Sequence, residues 1–457
     1  MDDLVAGLAR ITGSAHVLTA DAIEPEYTHD EALTVAAVTP RAVVRPASTE
    51  EVSAVLAFCN ERRVPVIARG AGTGLSGACT PVPEGIVLSL ERLRRIVEID
   101  EDNQVAIVEP FVRLSELYEA TESKNLMYPI MPGESSATIG GNIGTNAGGM
   151  QAVKYGVTRH QVIGMTAVLA SGEIIRSGGK YVKVSSGYDL TQLVIGSEGT
   201  LAIATEITLK LVPRLPFRST VLAPFRTLEE VTAAIPKLVA MGRQPLMLEY
   251  IDMMTMAVIL QRSGMDLGVP VAIRDVALAY LVIVTEGRDE EHAGSDARDL
   301  GERCVELGAL DVFVLPSTAG KRLIEAREQS FWAAKGAGAG DIIDVVVPRA
   351  NIAAFVQRAA AVAQSHSAFV PGCGHAGDGN VHFAIFHPEE SVRSAVVHEL
   401  IAAGIQLGGA VSGEHGIGVA KKKYFMEFED PVRLELFRRI KQAFDPNGIL
   451  NPGTIFD

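Results

Sequence analysis

Hydrophobic and polar positions follow two different patterns on either side of a proline-flanked segment at residues 213–216. In the first part, glycine-rich segments separate short apolar runs, and the alternation of Ile203, Thr205 and Ile207 predicts a strand. Strands are predicted here at residues 42–45, 64–69, 85–90, 95–99, 104–109, 162–169, 173–177 and 201–211. Helices are predicted at residues 2–11, at 114–123 and after Ser48, whose spacing from Glu51 is that of a capping box.

Beyond residue 216, longer apolar strands alternate with helical segments, and glycine is sparse. Strands are predicted at residues 220–222, 247–251, 277–285, 311–315, 342–347, 368–371 and 381–386. Helices are predicted at residues 227–241, 290–307, 321–335, 352–365, 390–403 and 431–444. This alternation predicts a sheet with helices packed on one side.

Composition and charge narrow the class of protein. The 457 residues suffice for about two to three domains, and a net charge of −14 argues against nucleic acid as the main partner. The apolar runs are too short to span a bilayer, and residues 1–4 lack the basic start of a secretion signal. Four cysteines without paired spacing favour a reducing compartment. We expect a cytoplasmic protein, with peripheral contact at the inner face of a membrane left open.

A first glycine-rich segment occupies residues 70–77. Its spacing Gly72-x-Gly74-x-x-Gly77 matches the dinucleotide-binding fingerprint as a string. That fingerprint requires a following helix, whereas Pro81 and Pro83 follow here. The segment therefore predicts a loop between strands whose backbone N–H groups hold a phosphate, with a flexible turn as the alternative.

A second glycine-rich segment covers residues 132–149 and contains many small hydroxyl and amide side chains. Such a segment can lie close to a large, planar, polar ligand and offer it many N–H donors. Ile139 and Ile143 are the apolar positions that would attach it to a core.

The most distinctive chemistry lies in two polar segments near the C-terminus. His375 and His382 flank a glycine-rich turn, and Glu414 and His415 follow in a second segment. Two imidazoles and a carboxylate form a three-ligand set of the kind found in open, catalytic metal sites. The sequence predicts a divalent metal held by His375, His382 and Glu414, with zinc preferred and manganese or iron(II) as alternatives.

Six motifs together resemble the FAD-linked 2-hydroxy-acid dehydrogenases. This group includes D-lactate dehydrogenase, the flavin subunit of glycolate oxidase and D-2-hydroxyglutarate dehydrogenase, within the vanillyl-alcohol-oxidase-like flavoproteins. The resemblance runs in order from about Pro40 to Pro452. The motifs are Arg69-Gly-Ala-Gly-Thr-Gly, the segment 132–149, Gly196-Ser-Glu-Gly-Thr-Leu, Gly374-His-Ala-Gly-Asp-Gly-Asn-Val-His, Gly413-Glu-His-Gly and Asn447-Gly-Ile-Leu-Asn-Pro-Gly.

The resemblance implies an α+β fold in three parts. Residues 1–213 would form a two-part FAD-binding domain of the vanillyl-alcohol-oxidase type. Residues 214–410 would form an α+β cap domain that binds substrate, with an antiparallel sheet covered by helices. Residues 411–457 would form a C-terminal helical segment that completes the active site and returns to the FAD domain.

The resemblance also implies a set of FAD-binding residues. No histidine stands in the first glycine segment, where some members of the superfamily attach FAD covalently, so we expect dissociable FAD. The implied FAD-binding residues are Arg69, Gly70, Ala71, Gly72, Thr73, Gly74, Ser76, Pro132, Gly133, Thr138, Gly140, Gly141, Asn142, Gly148, Gly149, Tyr155, Glu198, Gly199, Ile203 and Asn451.

By the same resemblance, the reaction is the oxidation of a D-2-hydroxy acid. The metal would polarise the α-hydroxyl group, His415 would act as the base, and Arg327 would bind the carboxylate. The alternatives are that His415 only orients a metal ligand, and that Arg327 is a solvated helix residue paired with Glu325 or Glu328. Apolar residues at 383–385 and at Ile342 and Ile343 favour a monocarboxylate with a small or apolar side chain, such as D-lactate.

Three other functions stay open at this point. They are a metal-dependent hydrolase, a non-catalytic FAD-binding subunit of a larger complex, and a flavin reductase that uses NAD(P)H. For a dehydrogenase, the electron acceptor could be a quinone, an electron-transfer flavoprotein, a cytochrome or oxygen. The sequence also leaves open whether the chain forms a homodimer.

Overall fold

The computed structural model describes residues 3–456, and its first layer is a four-stranded sheet. The strand order is β1-β2-β4-β3, and β2, β4 and β3 run parallel. The strands are β1 Val17–Leu18, β2 Ala42–Val44, β3 Val66–Arg69 and β4 Ile86–Ser89, and the helices are α1 Asp3–Thr12 and α2 Thr49–Arg62. The predicted helix at 2–11 corresponds to α1, with Asp2 outside the described residues. The predicted cap is confirmed, because the Ser48 side chain accepts the Glu51 N–H at 3.2 Å.

A five-stranded antiparallel sheet follows, in the order β5-β6-β10-β8-β9. Its strands are β5 Ile96–Asp100, β6 Val105–Val108, β8 Val162–Leu169, β9 Ile174–Gly178 and β10 Ala202–Lys210. Its helices are α3 Leu114–Glu122, α4 Ile139–Thr145, α5 Ala152–Tyr155, α6 Thr158–Gln161 and α7 Leu190–Val194. A separate pair is formed by β7 Leu126–Met127 and β11 Val212–Pro213.

Helix α4 lies inside the second glycine-rich segment, where the sequence predicted only a ligand-wrapping stretch. Thr138 caps its start by accepting the Gly141 N–H, and Asn146 ends it in a left-handed conformation. Ile139 and Ile143 are buried in the core of this layer, as predicted. Local capping and burial of these two residues outweigh the low helix propensity of glycine.

The third layer is a seven-stranded antiparallel sheet in the order β15-β12-β14-β13-β17-β18-β16. Its strands are β12 Phe217–Phe225, β13 Met247–Asp252, β14 Ala279–Gly287, β15 Phe313–Leu315, β16 Asp341–Val346, β17 Gly372–His375 and β18 Asn380–Ile385. Its helices are α8 Leu228–Val239, α9 Met253–Ser263, α10 Val271–Arg274, α11 Glu290–Glu306, α12 Ser317–Glu328, α13 Ser330–Gly336, α14 Ile352–Ser365 and α15 Glu390–Gln406.

The two faces of this sheet have different neighbours. Helices α8, α11, α14 and α15 bury one face in a large apolar core, which agrees with the predicted helical layer. On the other face, α9 and α12 cover part of the sheet, and Met150 of the preceding layer joins their core. The uncovered remainder of this second face points toward the glycine-rich segments.

Two predicted elements near this face are wrong in detail. The helix predicted at residues 321–335 is two helices, because the chain breaks at Gln329 between α12 and α13. The strand predicted at 368–371 contributes only an isolated bridge from Phe369 to Phe386. The regular strand is β17, which forms a hairpin with β18, so the glycine-rich stretch around His375 is mostly strand. Backbone pairing with β13 on its other side holds β17 extended despite its glycines.

The C-terminal part contains α16 Lys422–Phe428 and α17 Pro431–Phe444, and then returns to the first sheet. Leu450 forms a parallel bridge with Val66 of β3. Short 3-10 turns occupy Ser14–His16, Ala20–Ala22, Pro25–Thr28 and Arg349–Asn351. None of the helices formed by residues 3–456 combines the length and apolar character needed to cross a bilayer.

Candidate active site

One cavity of ≈ 550 Å³ joins the two glycine-rich segments to the open face of the seven-stranded sheet. Its size lies in the range of small-molecule and cofactor sites. The glycine segments form one wall, and the histidines of β17 and β18 lie on the opposite wall with the two C-terminal residues Glu414 and His415. The predicted cofactor residues that line it are Gly70, Ala71, Gly72, Thr73, Gly74, Ser76, Pro132, Gly133, Thr138, Gly141 and Asn142.

The glycine wall has the properties of a cradle for a polar ligand. A Cβ atom on Gly70 would lie 2.3 Å from the Thr138 hydroxyl oxygen, so a side chain there would fill the gap between the two segments. Ser76 Oγ and Asn142 Nδ2 are buried without a hydrogen-bond partner in the described protein. Buried polar atoms of this kind are normally paired, so both are suited to a bound polar group. The wall therefore fits FAD.

Other predicted cofactor residues lie behind this wall. Arg69 Nη1 donates to the His29 carbonyl at 2.7 Å, and its guanidinium packs where a Cβ on Gly72 would lie. Gly140 allows α4 to approach Pro110, where a Cβ would come within 2.7 Å. Ile203 is buried in the core of the first sheet. These residues shape the loops and do not line the cavity.

Glu198 and Asn451 connect the C-terminal part to the first domain. Glu198 accepts the N–H groups of Ile417 and Gly418 at 2.7 and 2.8 Å, and burial raises its pKa to about 7. Asn451 Nδ2 donates to the carbonyl of Glu198 at 2.6 Å. Gly199 has a φ of +73° and lies against Asn451. This group holds the two segments together behind the cavity.

Three further predicted residues lie at the junction of the two domains. Gly148 brings its backbone beside Glu414, where a Cβ would be 3.0 Å from Oε2. Gly149 has a φ of +115° and approaches the backbone of Met131, where a Cβ would clash at 1.8 Å. Tyr155 donates its hydroxyl to Glu286 of β14 at 2.5 Å. Tyr155 is thus a contact between the domains.

His375, His382 and Glu414 come together as the sequence predicts. The nearest nitrogens of His375 and His382 lie 3.1 and 3.2 Å from Oε1 of Glu414, and the possible ligand atoms all lie within 4.8 Å of one another. Two ligands of a tetrahedral zinc ion, each about 2.0–2.1 Å from it, lie about 3.3 Å apart. Glu414 Oε2 is also buried without a hydrogen-bond partner among the described residues. The three side chains therefore fit a divalent metal.

Glu249 of β13 links this cluster to Arg327 of α12. Its Oε1 lies 2.7 Å from His375 Nδ1, and its Oε2 lies 3.0 Å from Arg327 Nη2. A carboxylate in this position orients a metal-binding histidine and sets which nitrogen carries the proton. Burial disfavours a charge on His375, but Glu249 and Glu414 outweigh it and hold the pKa of His375 well above its ordinary value.

Arg327 is buried and lines the cavity. Its Nε atom makes no hydrogen bond within the described protein, whereas its Nη2 atom lies in the ion pair with Glu249. A buried guanidinium with free donors is suited to a carboxylate, which it can bind through two parallel hydrogen bonds. The fully solvated helix position considered for this residue does not match its burial.

Asp344 of β16 holds the segment that carries Glu414 and His415. Its Oδ2 accepts the N–H groups of Gly413, Glu414 and His415 at 2.8–3.0 Å. The buried ammonium group of Lys421 binds its Oδ1. Burial opposes ionisation of Asp344, but His415 and Lys421 outweigh it and hold its pKa well below the ordinary value. We call Asp344, Lys421 and these three N–H groups the Asp344 clamp.

His415 lies beside the three candidate metal ligands. Its ring stacks on His382 at a centroid distance of 5.1 Å, and its Nδ1 makes no hydrogen bond in the described structure. The Asp344 carboxylate is 3.7 Å from this atom. Burial lowers the pKa of His415 to about 4, so its imidazole is neutral near pH 7.

Glu249, Asp344 and Lys421 are the site residues that sequence reasoning missed. Two of them, Glu249 and Asp344, are acidic residues flanked by apolar ones inside the strands Met247–Asp252 and Asp341–Val346. A charge at a buried strand position needs a partner, so this pattern was a usable signal. The alternation of side chains places Glu249 on the same sheet face as His375 and Asp344 beside His382.

Two family models match the chain. Residues 40–178 match an FAD binding domain, and residues 215–455 match the C-terminal domain of FAD linked oxidases. These spans follow the order of the layers described above.

Similar proteins carry related names. An uncharacterized FAD-linked oxidoreductase of Mycobacterium tuberculosis is 50% identical over 100% of this chain and 99% of its own length. D-lactate dehydrogenase of Anaerostipes hadrus is 37% identical, covering 96% and 94%. Glycolate oxidase subunit GlcD of Bacillus subtilis is 38% identical, covering 91% and 89%. The solved structure of p-cresol methylhydroxylase has a TM-score of 0.84 at 19% identity, covering 100% of this chain and 97% of that one, so it bears on the fold alone.

Proposed function

The chain belongs to the FAD-linked oxidase family, and we propose that it oxidises a D-2-hydroxy acid to the 2-oxo acid with FAD and a divalent metal. It is an FAD-linked oxidoreductase of the D-lactate dehydrogenase and glycolate oxidase type, with the two-domain vanillyl-alcohol-oxidase fold. One observation carries the finer proposal. A single cavity joins the glycine wall to Arg327, His415 and the metal-ligand set.

The chain's own residues would bind and orient the substrate. Arg327 would bind the carboxylate with the N–H donors that its ion pair with Glu249 does not use. His375, His382 and Glu414 would hold the metal, which when bound lowers the pKa of the α-hydroxyl group. FAD, when bound, accepts the α-hydrogen together with its electron pair. Burial of these groups excludes water and strengthens the interactions that orient the acid.

His415 would take the hydroxyl proton. A general base needs a free nitrogen within hydrogen-bond reach of the reacting group and must be unprotonated at the working pH. His415 lines the cavity, and burial keeps its imidazole neutral near pH 7. The Asp344 carboxylate, 3.7 Å away, would stabilise the imidazolium that forms.

FAD would be bound without a covalent bond, because the first glycine segment has no histidine. Acid precipitation is then expected to release the yellow colour into the supernatant. Colour that stays in the protein pellet would contradict this. Zinc is our first choice of metal, ahead of manganese and iron(II). We propose a cytoplasmic enzyme that passes its electrons to a quinone, an electron-transfer flavoprotein, a cytochrome or oxygen.

The experiment that tests the function is anaerobic bleaching of the flavin. Purified protein supplemented with FAD is mixed with D- and L-2-hydroxy acids, with and without a chelator. We expect the D-acids to bleach the 450 nm region of the flavin spectrum. The chelator should lower the rate of this bleaching. Protein that never takes up FAD would favour a metal-dependent hydrolase. Protein that binds FAD but bleaches with none of the acids would favour a non-catalytic subunit.

A further inference from the structure

The sheet face beyond the metal-ligand set is apolar for the whole length of the cavity. Along β18, the side chains that share a face with His382 are Ala384 and then Phe386, two residues further each time. Since successive residues rise by about 3.3 Å, Phe386 lies about 13 Å along the strand from His382. Ala384 and Phe386 both line the cavity.

Neighbouring strands continue the same apolar surface. Ile342 of β16 is paired with Ala384, and the Ala384 N–H donates to Pro371 at 3.0 Å. Phe369 is bridged to Phe386, with ring centroids 5.6 Å apart. We call these five residues, Ile342, Pro371, Ala384, Phe369 and Phe386, the apolar floor. All five line the cavity.

The rim of the cavity is also apolar. Met254 and Val258 of α9 and Phe369 of the floor are 45%, 38% and 48% exposed, and all three line the cavity. Large apolar side chains that are exposed together around a cavity usually mark a binding surface. An apolar ligand group would cover them.

Charges in the cavity exclude a second carboxylate. Arg327 is the one lysine or arginine among the described residues that line it, and the proposed carboxylate site uses it. Glu134 and Glu328 also line the cavity. A second acidic group on the substrate would therefore find no further lysine or arginine in this lining, and on the apolar floor its desolvation cost would be high.

We infer that the apolar floor binds the side chain of the substrate, and that the preferred acid is a monocarboxylic 2-hydroxy acid with a long apolar chain. This inference rests on the proposed function and narrows its substrate class. The single methyl group of lactate does not reach across even one two-residue step of the floor, which is about 7 Å. A chain of several carbons covers the first step, beside Ala384, and removes that part of the floor from water.

A chain-length series tests this inference. The kcat/KM of the FAD- and metal-loaded protein is measured with a dye acceptor for D-lactate and for the D-2-hydroxy derivatives of butyrate, hexanoate and octanoate. Each buried CH₂ is expected to raise kcat/KM about fourfold, and D-2-hydroxyglutarate is expected to fall below hydroxyhexanoate. Calorimetric titration with the matching 2-oxo acids supplies a readout that does not depend on turnover, and we expect Kd to fall with chain length there too.

Two variants locate the site. Ala384→Phe fills the first step of the floor, so the ratio of kcat/KM for hydroxyoctanoate to that for lactate should fall toward one. Val314→Phe introduces the same side chain at an exposed position of β15, at the far edge of the sheet, and should keep the wild-type ratio. An unchanged ratio in folded Ala384→Phe protein would overturn the assignment of the floor.

The outcomes separate this inference from the function on which it rests. A rate and an affinity that stay flat or fall with chain length overturn the long-chain substrate and leave the 2-hydroxy-acid function intact. Absence of turnover with every acid in the series overturns both. The wild-type series decides the matter even if Ala384→Phe does not fold.

Discussion

A buried acid whose partners are mostly backbone N–H groups organises the reactive end of the site. Asp344 is fully buried, and its clamp joins three consecutive N–H groups to the buried ammonium of Lys421. Glu414 and His415, the proposed ligand and base, stand on two of those three peptides. Their positions therefore depend on a residue about seventy positions earlier in the chain, at a strand site with an apolar sequence around it.

Replacement of this acid should be costly over a defined pH range. Asp344→Asn leaves the buried Lys421 unpaired, which typically lowers the free energy of unfolding by about 3–5 kcal/mol. The fold depresses the pKa of Asp344, so its stabilisation is present above the ordinary value near 4 and is lost as pH falls below it. Urea unfolding at pH 5, 6.5 and 8 should give the same deficit each time. A deficit that shrinks between pH 8 and 5 would contradict this account.

Loss of a metal ligand should separate the metal from the flavin. His382→Ala removes one of the three proposed ligands from β18, which lies on the wall opposite the glycine segments. We expect the variant to lose metal, measured by mass spectrometry, and turnover, while it still fills with FAD when FAD is supplied in large excess. His292→Ala, at an exposed position of α11, is the control and should keep both. Full activity in His382→Ala would count decisively against the metal role.

For single residues, the sequence predicts the site residues that belong to short motifs and misses the site residues that lie outside any motif. His375, His382, Glu414 and His415 are marked by glycines and by short spacing, and the structure brings all four together. Glu249 meets His375 only because β13 and β17 become neighbours in the sheet. No local feature of the sequence encodes that pairing, so the partner of a buried acid is identified only from the fold.

Some helices and strands around the cavity are determined by neighbouring residues in the sequence, and others by tertiary contacts. Ser48 and Glu51 set the start of α2 by themselves, and sequence reasoning found this helix. Helix α4 lies in a segment whose glycines argue against a helix, and it forms because Thr138 caps it and the core buries one side. Strand β17 is likewise extended because it has a partner on each side. Such elements depend on tertiary contacts, which the helix and strand propensities of single residues do not describe.

Helix α13 carries a built-in reporter of flavin binding. Trp332 is the only tryptophan in the chain, it lines the cavity, and its Nε1 donates to Glu134 of the glycine wall at 3.1 Å. Titration of the apoprotein with FAD should quench its emission, because the flavin absorbs light in the same cavity. The fluorescence of Trp332→Phe protein, excited at 295 nm, should show no such change. Unchanged Trp332 emission in protein that demonstrably binds FAD would place the flavin elsewhere.

For the whole molecule, the motifs predict the order of the FAD-binding and C-terminal spans along the chain. They do not predict which residues form the contacts between these spans. The family models match an FAD-binding span and a C-terminal span in the predicted order. The contacts that unite them are long-range. Asn451 reaches back to the carbonyl of Glu198, and Tyr155 reaches forward to Glu286 of the cap sheet. The motifs predict that Asn451, Glu198 and Tyr155 bind FAD, and in the fold these residues also join protein segments behind or beside the cavity.

This connection predicts that FAD and the metal bind cooperatively. Glu198, in the FAD-binding domain, accepts the N–H groups of Ile417 and Gly418, which follow Glu414 and His415 by a few residues. Either ligand should therefore order the contact that the other one needs, and coupling between sites is typically about 1–3 kcal/mol, or roughly 5- to 150-fold in affinity. We expect a chelator to raise the Kd for FAD within this range, and Glu198→Gln to reduce the effect. Glu435→Gln, at an exposed position of α17, should leave it unchanged. An FAD affinity that is the same with and without metal would show that the two sites act independently.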